Sequence, residues 1–373
     1  MSIENAALSV SATDYHTAGE PFRIVSGGVG PILGETMLDK REWAIENLDR
    51  VRRLLVYEPR GHADMYGGFV TEPDDQAGDF GVLSFHNAGF STACGHGTIA
   101  LAAWAVESGI VVPSGPETEI VIDVPSGRLP VVAKIEGGRA TSVRFRNVPS
   151  FVYSRGISVR TRSAGDVPLN VSFGGAFYAS VETSALGLAV EPADLPRFVE
   201  VGREIKDELN ATMEIVHPLE PRLRDVYVTI FFEDAEGPGL AQRNVTVFAD
   251  GEVDRSPCGS GTSARLALLH AGGELALGAT LGHFGLVGTR FEGRVVEETK
   301  VGDFAAVVTE VEGIAHLTGH HQFVLGRDDP SARASCCGER PRCSSWQGCP
   351  RSPTPPSASC AQTSPVRGLP HAQ

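Results

Sequence analysis

The stretch Cys94-Gly-His-Gly-Thr-Ile-Ala-Leu-Ala-Ala aligns without a gap with Cys258-Gly-Ser-Gly-Thr-Ser-Ala-Arg-Leu-Ala later in the same chain. Both read C-G-x-G-T-x-A-x-x-A, and each is followed by an apolar stretch with helical periodicity. Two unrelated glycine-rich turns that each start a helix would give the same pattern by coincidence. Coincidence does not explain why Cys94 and Cys258 are also the only cysteines before residue 331. The repeat therefore favours two related halves that share a paired site.

Composition limits the classes of protein to which the chain can belong. It has 373 residues, of which 42% are hydrophobic and 21% charged, typical of a soluble protein of about two domains. The net charge of −14 would repel a phosphate backbone, so we expect no nucleic-acid partner. No apolar run approaches the ~20 residues that a membrane helix needs. The first residues show no secretory signal, and we expect a cytoplasmic protein.

The last segment, 331–373, differs from the rest of the chain. It holds seven Pro, eight Ser and five Cys, but few large apolar residues. Such a segment cannot bury enough apolar surface to offset the entropy of ordering, and we expect it to be disordered. A cysteine-rich metal site is the alternative, but the paired C-x₂-C spacing of zinc knuckles is absent. We therefore predict no metal site.

Before the tail, short β-like runs alternate with a few helical stretches, a pattern that predicts an α/β or α+β fold. Helical periodicity is clearest over 40–55, 98–108, 195–213 and 262–271. The predicted strands are 54–57, 82–85, 120–124, 129–135, 143–147, 226–232 and 245–249. Many neighbouring strands are expected to be antiparallel, and the pattern is not that of a regular βαβ array.

A cysteine at the start of a helix has a particular chemistry. The first backbone N–H groups of a helix lack intrahelical partners and carry partial positive charge, which should lower a thiol pKa and attract a carboxylate. Two such turns suggest a substrate carboxylate held between them, with one sulfur on each face of its α-carbon. One sulfur could then remove the α-proton while the other returns a proton from the opposite face.

No cofactor is expected for this chemistry. Pyridoxal phosphate would need a Schiff-base lysine, and none of the four lysines lies in a glycine-rich or histidine-containing motif. Two other classes of function stay open for the cysteine pair. One is a dithiol redox protein, although the C-x-x-C motif of such proteins is missing. The other is a catalytically silent protein that binds a small carboxylic acid.

Five motifs make the sequence resemble the proline racemase family, which includes 4-hydroxyproline epimerases and trans-3-hydroxy-L-proline dehydratases. They are Asp14-Tyr-His-Thr-Ala-Gly-Glu-Pro, Glu58-Pro-Arg-Gly-His-Ala-Asp-Met-Tyr-Gly, Cys94-Gly-His-Gly, Phe173-Gly-Gly-Ala-Phe-Tyr-Ala and Asp254-Arg-Ser-Pro-Cys-Gly-Ser-Gly-Thr-Ser-Ala. The resemblance implies a fold like that of diaminopimelate epimerase. In this fold two similar halves each wrap a curved sheet around a central helix, and the active site lies in the cleft between them.

The resemblance also implies a division of the chain. The first half would comprise 1–125 and carry Cys94, and the second half would comprise 126–314 and carry Cys258. In such folds the last strand often returns to the first half, which 315–330 would then complete. A homodimer is compatible with the resemblance, and the partner implied by it is a small-molecule substrate, proline or a hydroxyproline.

Roles for individual residues follow from the same resemblance. Cys94 and Cys258 match the acid/base pair. The loops around the substrate carboxylate match Gly95, His96, Gly259 and Ser260. His96 and Asp254 match a polar pair near the ring nitrogen, where a secondary ammonium needs an acceptor. Tyr66 and Phe248 match aromatic residues that wall the ring. A purely structural role stays open for two of them: Asp254 could cap its turn, and His96 could be a hydrogen-bond donor at the helix start.

Three activities of the family compete, and the residue opposite Cys94 should separate them. Racemases and epimerases carry a cysteine at both positions, whereas the dehydratases typically have threonine at the second. Cys258 therefore favours a racemase or epimerase that acts on proline or a hydroxyproline. Dehydration of trans-3-hydroxy-L-proline is the alternative, because the segments 14–23 and 85–97 resemble that branch. The hydroxyl of Tyr66 could also accept a hydroxylated ring.

Overall fold

Strands dominate the architecture: residues 8–326 and Asp329, which the computed structural model describes, form seventeen strands and five α-helices. The predicted disordered segment, 331–373, lies outside the described residues. The strands are β1 (Leu8–Thr17), β2 (Glu20–Gly27), β3 (Tyr66–Thr71), β4 (Phe80–His86), β5 (Glu117–Val124), β6 (Gly127–Glu136), β7 (Arg139–Arg146), β8 (Ser150–Thr161), β9 (Gly165–Phe173), β10 (Phe177–Glu182), β11 (Val226–Asp234), β12 (Leu240–Phe248), β13 (Glu252–Asp254), β14 (Thr280–Phe284), β15 (Arg290–Val301), β16 (Phe304–Gly313) and β17 (Ala315–Leu325). The helices are α1 (Met37–Asn47), α2 (Asp49–Val56), α3 (Gly95–Glu107), α4 (Leu195–Thr212) and α5 (Gly259–Gly272).

The strands around α3 form an open row. From one edge to the other the row runs β17, β1, β2, β3, β4, β5, β6 and β7, with parallel pairs at β2–β3 and β4–β5. Helix α3 packs against strands from both ends of this row, including β1, β17 and β7. The last strand of the described chain thus pairs with the first.

The strands around α5 close into a ring. Its order is β16, β15, β14, β12, β11, β10, β9 and β8, after which β8 pairs with β16 again. Strand β16 also pairs with β7 of the first row, so the two sheets are continuous. Helix α5 packs against β8, β15 and β16. The predicted division at residue 125 stays a prediction.

Both central helices are enclosed by strands, and their composition fits this position. In α3 every residue from Gly95 to Val106 is buried, and in α5 every residue from Gly259 to Leu269 is buried. A helix that is apolar on all sides can be stable only inside a core. Alanine and glycine are frequent in both helices, and these small residues let the surrounding strands pack close to the helix backbone.

One predicted element is wrong. The run Leu54–Tyr57 was expected to be a strand, but Asp49–Val56 forms helix α2. The burial of Val51, Leu54 and Leu55 on one side of this helix follows helical spacing. The apolar residues at its end are too few to distinguish helical from strand periodicity.

Among the described residues, no helix is both long and apolar enough to cross a membrane.

The first residues of α3 and α5 are in direct backbone contact. A Cβ added to Gly95 would lie 2.5 Å from the Cα of Gly259, and one added to Gly259 would lie 2.7 Å from the Cα of Gly95. Real Cβ atoms do not approach other atoms this closely, so only glycine fits at either position. The close approach brings the two helix N-termini, and the cysteine before each of them, to a single place.

We predict that Gly95→Ala destabilises the protein. Alanine is normally more favourable than glycine in a helix, by up to about 1 kcal/mol. The clash with Gly259 should outweigh this gain and lower the free energy of unfolding by about 1–3 kcal/mol, the usual cost of overpacking. Chemical unfolding measures the change. Gly30→Ala is the matched control, because no atom lies within 4 Å of the added Cβ. Equal stability of the two variants would contradict the prediction.

Candidate active site

The letters shared by the two C-G-x-G-T segments have structural roles at the helix start. Cys94 and Cys258 are the N-cap residues of α3 and α5. The threonine hydroxyls donate to the carbonyl oxygens of these cysteines, Thr98 at 2.9 Å and Thr262 at 2.8 Å. The second glycine leaves room for the sulfur, since a Cβ on Gly97 would lie 2.7 Å from Cys94 Sγ. The repeat therefore holds a cysteine thiol at the N-terminus of each helix.

The two cysteines differ in backbone conformation. Cys94 is extended, with φ −152°, and its sulfur accepts a hydrogen bond from Gly97 N–H at 3.3 Å. Cys258 has φ +63°, a left-handed conformation that a residue with a Cβ rarely adopts. Its backbone N–H donates to Ser256 Oγ at 3.1 Å, and its carbonyl accepts from Thr262. These bonds hold the strained residue in place, as is common at functional sites.

Both thiols are free and buried, each 7% exposed. Burial raises the pKa of Cys94 well above its ordinary value, and the Gly97 N–H only partly opposes it. Burial likewise raises the pKa of Cys258 from 9.0 to about 12. The helix N-terminus was expected to lower the thiol pKa, and the Gly97 N–H does lower the pKa of Cys94. In this closed site, however, the loss of solvent is the larger effect, and both cysteines are neutral thiols at neutral pH.

His96 and Asp254 lie beside the sulfurs. The ring nitrogens of His96 are 3.5 and 3.6 Å from Cys94 Sγ, and its Nδ1 is 3.8 Å from Asp254 Oδ2. Burial lowers the pKa of His96, which the charge of Asp254 only partly offsets. His96 is therefore a neutral imidazole at neutral pH. The structure thus places these two predicted residues next to each other and next to Cys94.

Asp254 also has the capping role that the sequence left open. Its Oδ1 accepts hydrogen bonds from the backbone N–H of Ser256 at 2.8 Å and from Ser256 Oγ at 2.6 Å. The same Ser256 Oγ accepts from Cys258 N–H, so Asp254 is connected to the backbone of Cys258. One carboxylate oxygen thus fixes the turn while the other faces His96. Sequence reasoning missed Ser256, although it lies within the quoted motif.

Tyr66 and Phe248 form an aromatic wall next to His96. The ring centroid of Tyr66 is 5.6 Å from that of Phe248 and 5.0 Å from that of His96, which it meets edge-on. The Tyr66 hydroxyl donates to Ser91 Oγ at 2.6 Å. A cavity of about 260 Å³ adjoins this point, and its lining includes Ser91 and Tyr227. The wall is therefore apolar on its ring faces and polar at the tyrosine hydroxyl.

Sequence reasoning assigned no role to several further polar residues around the site, although Tyr178 lies within the quoted motif that begins at Phe173. Tyr178 Oη is 2.7 Å from Ser260 Oγ and 3.5 Å from Cys258 Sγ. His86 bridges two groups, with Nε2 2.8 Å from Tyr227 Oη and Nδ1 3.3 Å from Glu252 Oε1.

Glu20 is fully buried near the site, and its Oε2 accepts from Arg255 N–H at 2.9 Å. Burial, reinforced by the charge of Asp254, raises the pKa of Glu20 well above its ordinary value.

A second, larger cavity, of about 370 Å³, lies at the opposite end of α3 beside Glu107 and is distant from the cysteines.

Comparison with known proteins identifies the family. The sequence matches the family described as proline racemase over residues 12–334. The chain belongs to the proline racemase family. A trans-3-hydroxy-L-proline dehydratase of Burkholderia ambifaria is 47% identical to it, over 86% of this chain and 96% of the relative. A 3-hydroxyproline 2-epimerase of Burkholderia multivorans is 45% identical and a proline racemase of Clostridioides difficile 41% identical, with the same coverage.

Solved structures agree with this assignment. A hydroxyproline epimerase of Agrobacterium vitis, solved with bound trans-4-hydroxy-L-proline, superposes with a TM-score of 0.82 at 32% identity. The match covers 89% of this chain and 96% of that one. A PhzF-family phenazine biosynthesis protein of Bacillus anthracis, with a TM-score of 0.51 and 14% identity, shares the fold alone. It covers 86% of this chain and 100% of its own. The predicted fold class is therefore confirmed.

Burial of Cys258 makes stability depend on pH in the alkaline range. The unfolded thiol loses its proton near pH 9, whereas the folded protein keeps it up to about pH 12. The stabilisation is fully present below pH 9 and is lost as the pH rises toward 12, by at most about 1.4 kcal/mol per pH unit. We predict that Cys258→Ser, which removes this titration, flattens the pH dependence. Urea unfolding from about pH 8 to 10.5 measures both curves, and parallel curves would rule out a buried Cys258 thiol.

Proposed function

We propose that this protein is a cofactor-independent racemase or epimerase that inverts the α-carbon of proline or of a hydroxyproline by means of two cysteines. The observation that carries the proposal is the backbone contact between Gly95 and Gly259, which brings two cysteine-capped helix N-termini together. Inversion needs an acid and a base on opposite faces of one carbon. Two thiols from two symmetry-related helix ends supply such a pair.

The surrounding residues fit the rest of the substrate. Backbone N–H groups at the starts of α3 and α5 have no intrahelical partners and favour a carboxylate. We assign the carboxylate to the turns formed by Gly95, His96, Gly259 and Ser260. The ring ammonium would lie near Asp254 Oδ2 and His96, while Tyr66 and Phe248 would pack on the apolar ring.

The reaction then proceeds by a pair of proton transfers. The thiolate of one cysteine takes the α-proton, and the electron pair left on carbon is stabilised through the adjacent carboxylate by the helix N-termini. The thiol of the other cysteine returns a proton to the opposite face. Burial opposes formation of the thiolate, but the positive charge of the bound ring nitrogen favours it. The two thiols exchange roles in the reverse direction.

A second candidate, dehydration of trans-3-hydroxy-L-proline, is supported by the 47% identical Burkholderia ambifaria relative. Both reactions begin with removal of the α-proton. In dehydration the C3–O bond then breaks, a double bond forms between the α-carbon and C3, and the hydroxyl leaves as water after receiving a proton. The 45% identical epimerase relative and the presence of Cys258 favour inversion.

Loss of either sulfur should abolish inversion. We expect Cys94→Ser and Cys258→Ser each to lower racemisation or epimerisation at least about 10²-fold, since serine is a poor base at neutral pH. Each variant should still exchange the α-proton with solvent deuterium on the face whose sulfur remains. The two variants should therefore label opposite enantiomers. Chiral chromatography and mass spectrometry in D₂O measure both effects, with L-proline, trans-4-hydroxy-L-proline and trans-3-hydroxy-L-proline as substrates.

The dehydratase would give a different result in the same experiment. The parent protein would consume only trans-3-hydroxy-L-proline, with loss of water and without inversion of any substrate. One of the two cysteine variants would also retain most of the dehydration, because elimination needs a single base for the α-proton. That outcome would replace the proposed two-base reaction with the second candidate.

Tyr66 provides a test of the ring site. Because its hydroxyl donates to Ser91, its lone pairs can accept a hydrogen bond from a hydroxyl on the substrate ring. Tyr66→Phe should therefore lower kcat/KM for the preferred hydroxyproline about threefold to tenfold relative to proline. Tyr153→Phe, which removes a hydroxyl bonded to Glu214 O away from the site, is the control. An unchanged ratio would remove the Tyr66 hydroxyl from the ring site.

A further inference from the structure

Tyr178 places a phenol hydroxyl against one of the two sulfurs. It lies on β10, is 2% exposed, and its Oη is 3.5 Å from Cys258 Sγ and 2.7 Å from Ser260 Oγ. Its ring is held against the start of α5, since a Cβ on Gly261 would lie 3.2 Å from Tyr178 Cε1. Tight packing of the ring fixes the direction of the hydroxyl, so the contact with sulfur does not depend on a flexible side chain.

The two halves differ at this point, although their helix starts are otherwise alike. The residue two positions after the cysteine is Ser260 in one half and His96 in the other. Cys94 Sγ has the imidazole nitrogens of His96 at 3.5 and 3.6 Å, and burial keeps this imidazole neutral. Cys258 Sγ instead has a hydroxyl that can rotate its proton. The two sulfurs are therefore chemically unequal before any substrate binds.

The protonation state of Cys258 determines the direction of the hydrogen bonds among Ser260, Tyr178 and Cys258. When the sulfur is a thiolate it can only accept, so the chain of donors must run from Ser260 Oγ to Tyr178 Oη to Cys258 Sγ. When the sulfur is a thiol it can donate to Tyr178 Oη, and the tyrosine can then donate to Ser260 Oγ. Tyr178 and the sulfur keep a hydrogen bond to each other in both states, and the change from the first state to the second requires protonation of the sulfur and rotation of two hydroxyls.

We propose that Tyr178 is the positioning residue of Cys258, donating its hydroxyl proton to the thiolate and reversing the hydrogen bond when the sulfur is protonated. A hydrogen bond to a charged group in a buried site stabilises it more than one to a neutral group. The thiolate therefore forms more readily on Cys258 than it would without Tyr178. Burial and the nearby sulfur raise the pKa of Tyr178 well above its ordinary value, which keeps it a donor.

This inference rests on the proposed function for its importance, because Cys258 is one of the two proposed acid/base groups. In the direction in which Cys258 is the base, Tyr178 stabilises the reactive form. In the opposite direction the thiol turns its proton from Tyr178 toward the α-carbon, and the tyrosine hydroxyl turns back to donate to the thiolate that forms. Tyr178 gives up no proton to the substrate in either direction, so its role is to change how readily the thiolate of Cys258 forms.

The test is the alkylation of the two cysteines in the same protein without substrate. Iodoacetamide reacts with the thiolate, so the relative rates at Cys94 and Cys258, followed by peptide mass spectrometry at about pH 8, report their relative thiolate populations. We expect Tyr178→Phe to lower the Cys258-to-Cys94 rate ratio about tenfold, the loss of one hydrogen bond to a charged group. The acid limb of the pH profile of kcat/KM should move upward by about one unit.

Matched variants separate this role from simple packing. Phenylalanine keeps the ring, so a merely structural tyrosine would leave the rate ratio unchanged. Tyr153→Phe, on a strand of the same half, should not move the ratio. Ser260→Ala should lower it and Ser260→Thr, which keeps a hydroxyl, should preserve it. The Ser260 pair also provides the test if Tyr178→Phe does not fold.

An unchanged or increased ratio in both Tyr178→Phe and Ser260→Ala would overturn the proposal. Failure of the proposed function would look different, because it would appear as absent inversion of the substrates while the alkylation ratio still responds to Tyr178. The two conclusions therefore fail independently.

Discussion

The backbone contact between Gly95 and Gly259 is the constraint on which the site depends. It forces two helices to begin at the same place, and each helix start presents N–H groups that have no intrahelical partner. Two positive helix ends would repel each other in isolation. They are held together because α3 and α5 are buried on all sides and are enclosed by strands that β16 joins into one sheet. The energy of core packing thus maintains an electrostatically unfavourable arrangement that is suited to an anion.

The same burial that holds the helices together opposes the chemistry proposed for the thiols. Removal of water strengthens every interaction with developing charge in the site, but it also keeps Cys94 and Cys258 protonated. The structure offers each sulfur a different compensation. Besides the glycine N–H that lowers the pKa of each, from Gly97 or Gly261, Cys94 has a neutral imidazole and Cys258 has the hydroxyl of Tyr178. In the proposed reaction a cationic ring nitrogen is a third contribution, which comes only with the substrate and so couples formation of the thiolate to binding.

The sequence predicted those parts of the molecule that are encoded locally. The C-G-x-G-T repeat indicated two helices with a cysteine at each start, because its second glycine and its threonine both act within five residues of the cysteine. Tyr178 lies within the quoted motif that begins at Phe173, but it is on a strand 80 residues before Cys258, and only the fold shows that the two side chains are in contact. The direction of the thiol pKa shifts was missed for a related reason. Desolvation depends on the whole fold, whereas the helix N-terminus is visible in a short segment.

The relatives of this chain bear the names of both an inversion and an elimination, and the site explains how the two can be close in chemistry. In the proposed mechanism both begin when a thiolate removes the α-proton next to a stabilised carboxylate, and that step needs only one half of the repeat. The two reactions differ in what happens next to the carbanion, which depends on the group that the other half of the repeat places beside it. A thiol on the opposite face returns a proton and completes inversion, whereas a hydroxyl leaving from C3 takes the electron pair before a proton can be returned. If Cys258 is the second acid/base group, as proposed, the acidity of its thiol decides the outcome as much as the substrate does. A residue that adjusts this acidity from a neighbouring strand can affect which reaction is faster without touching the substrate.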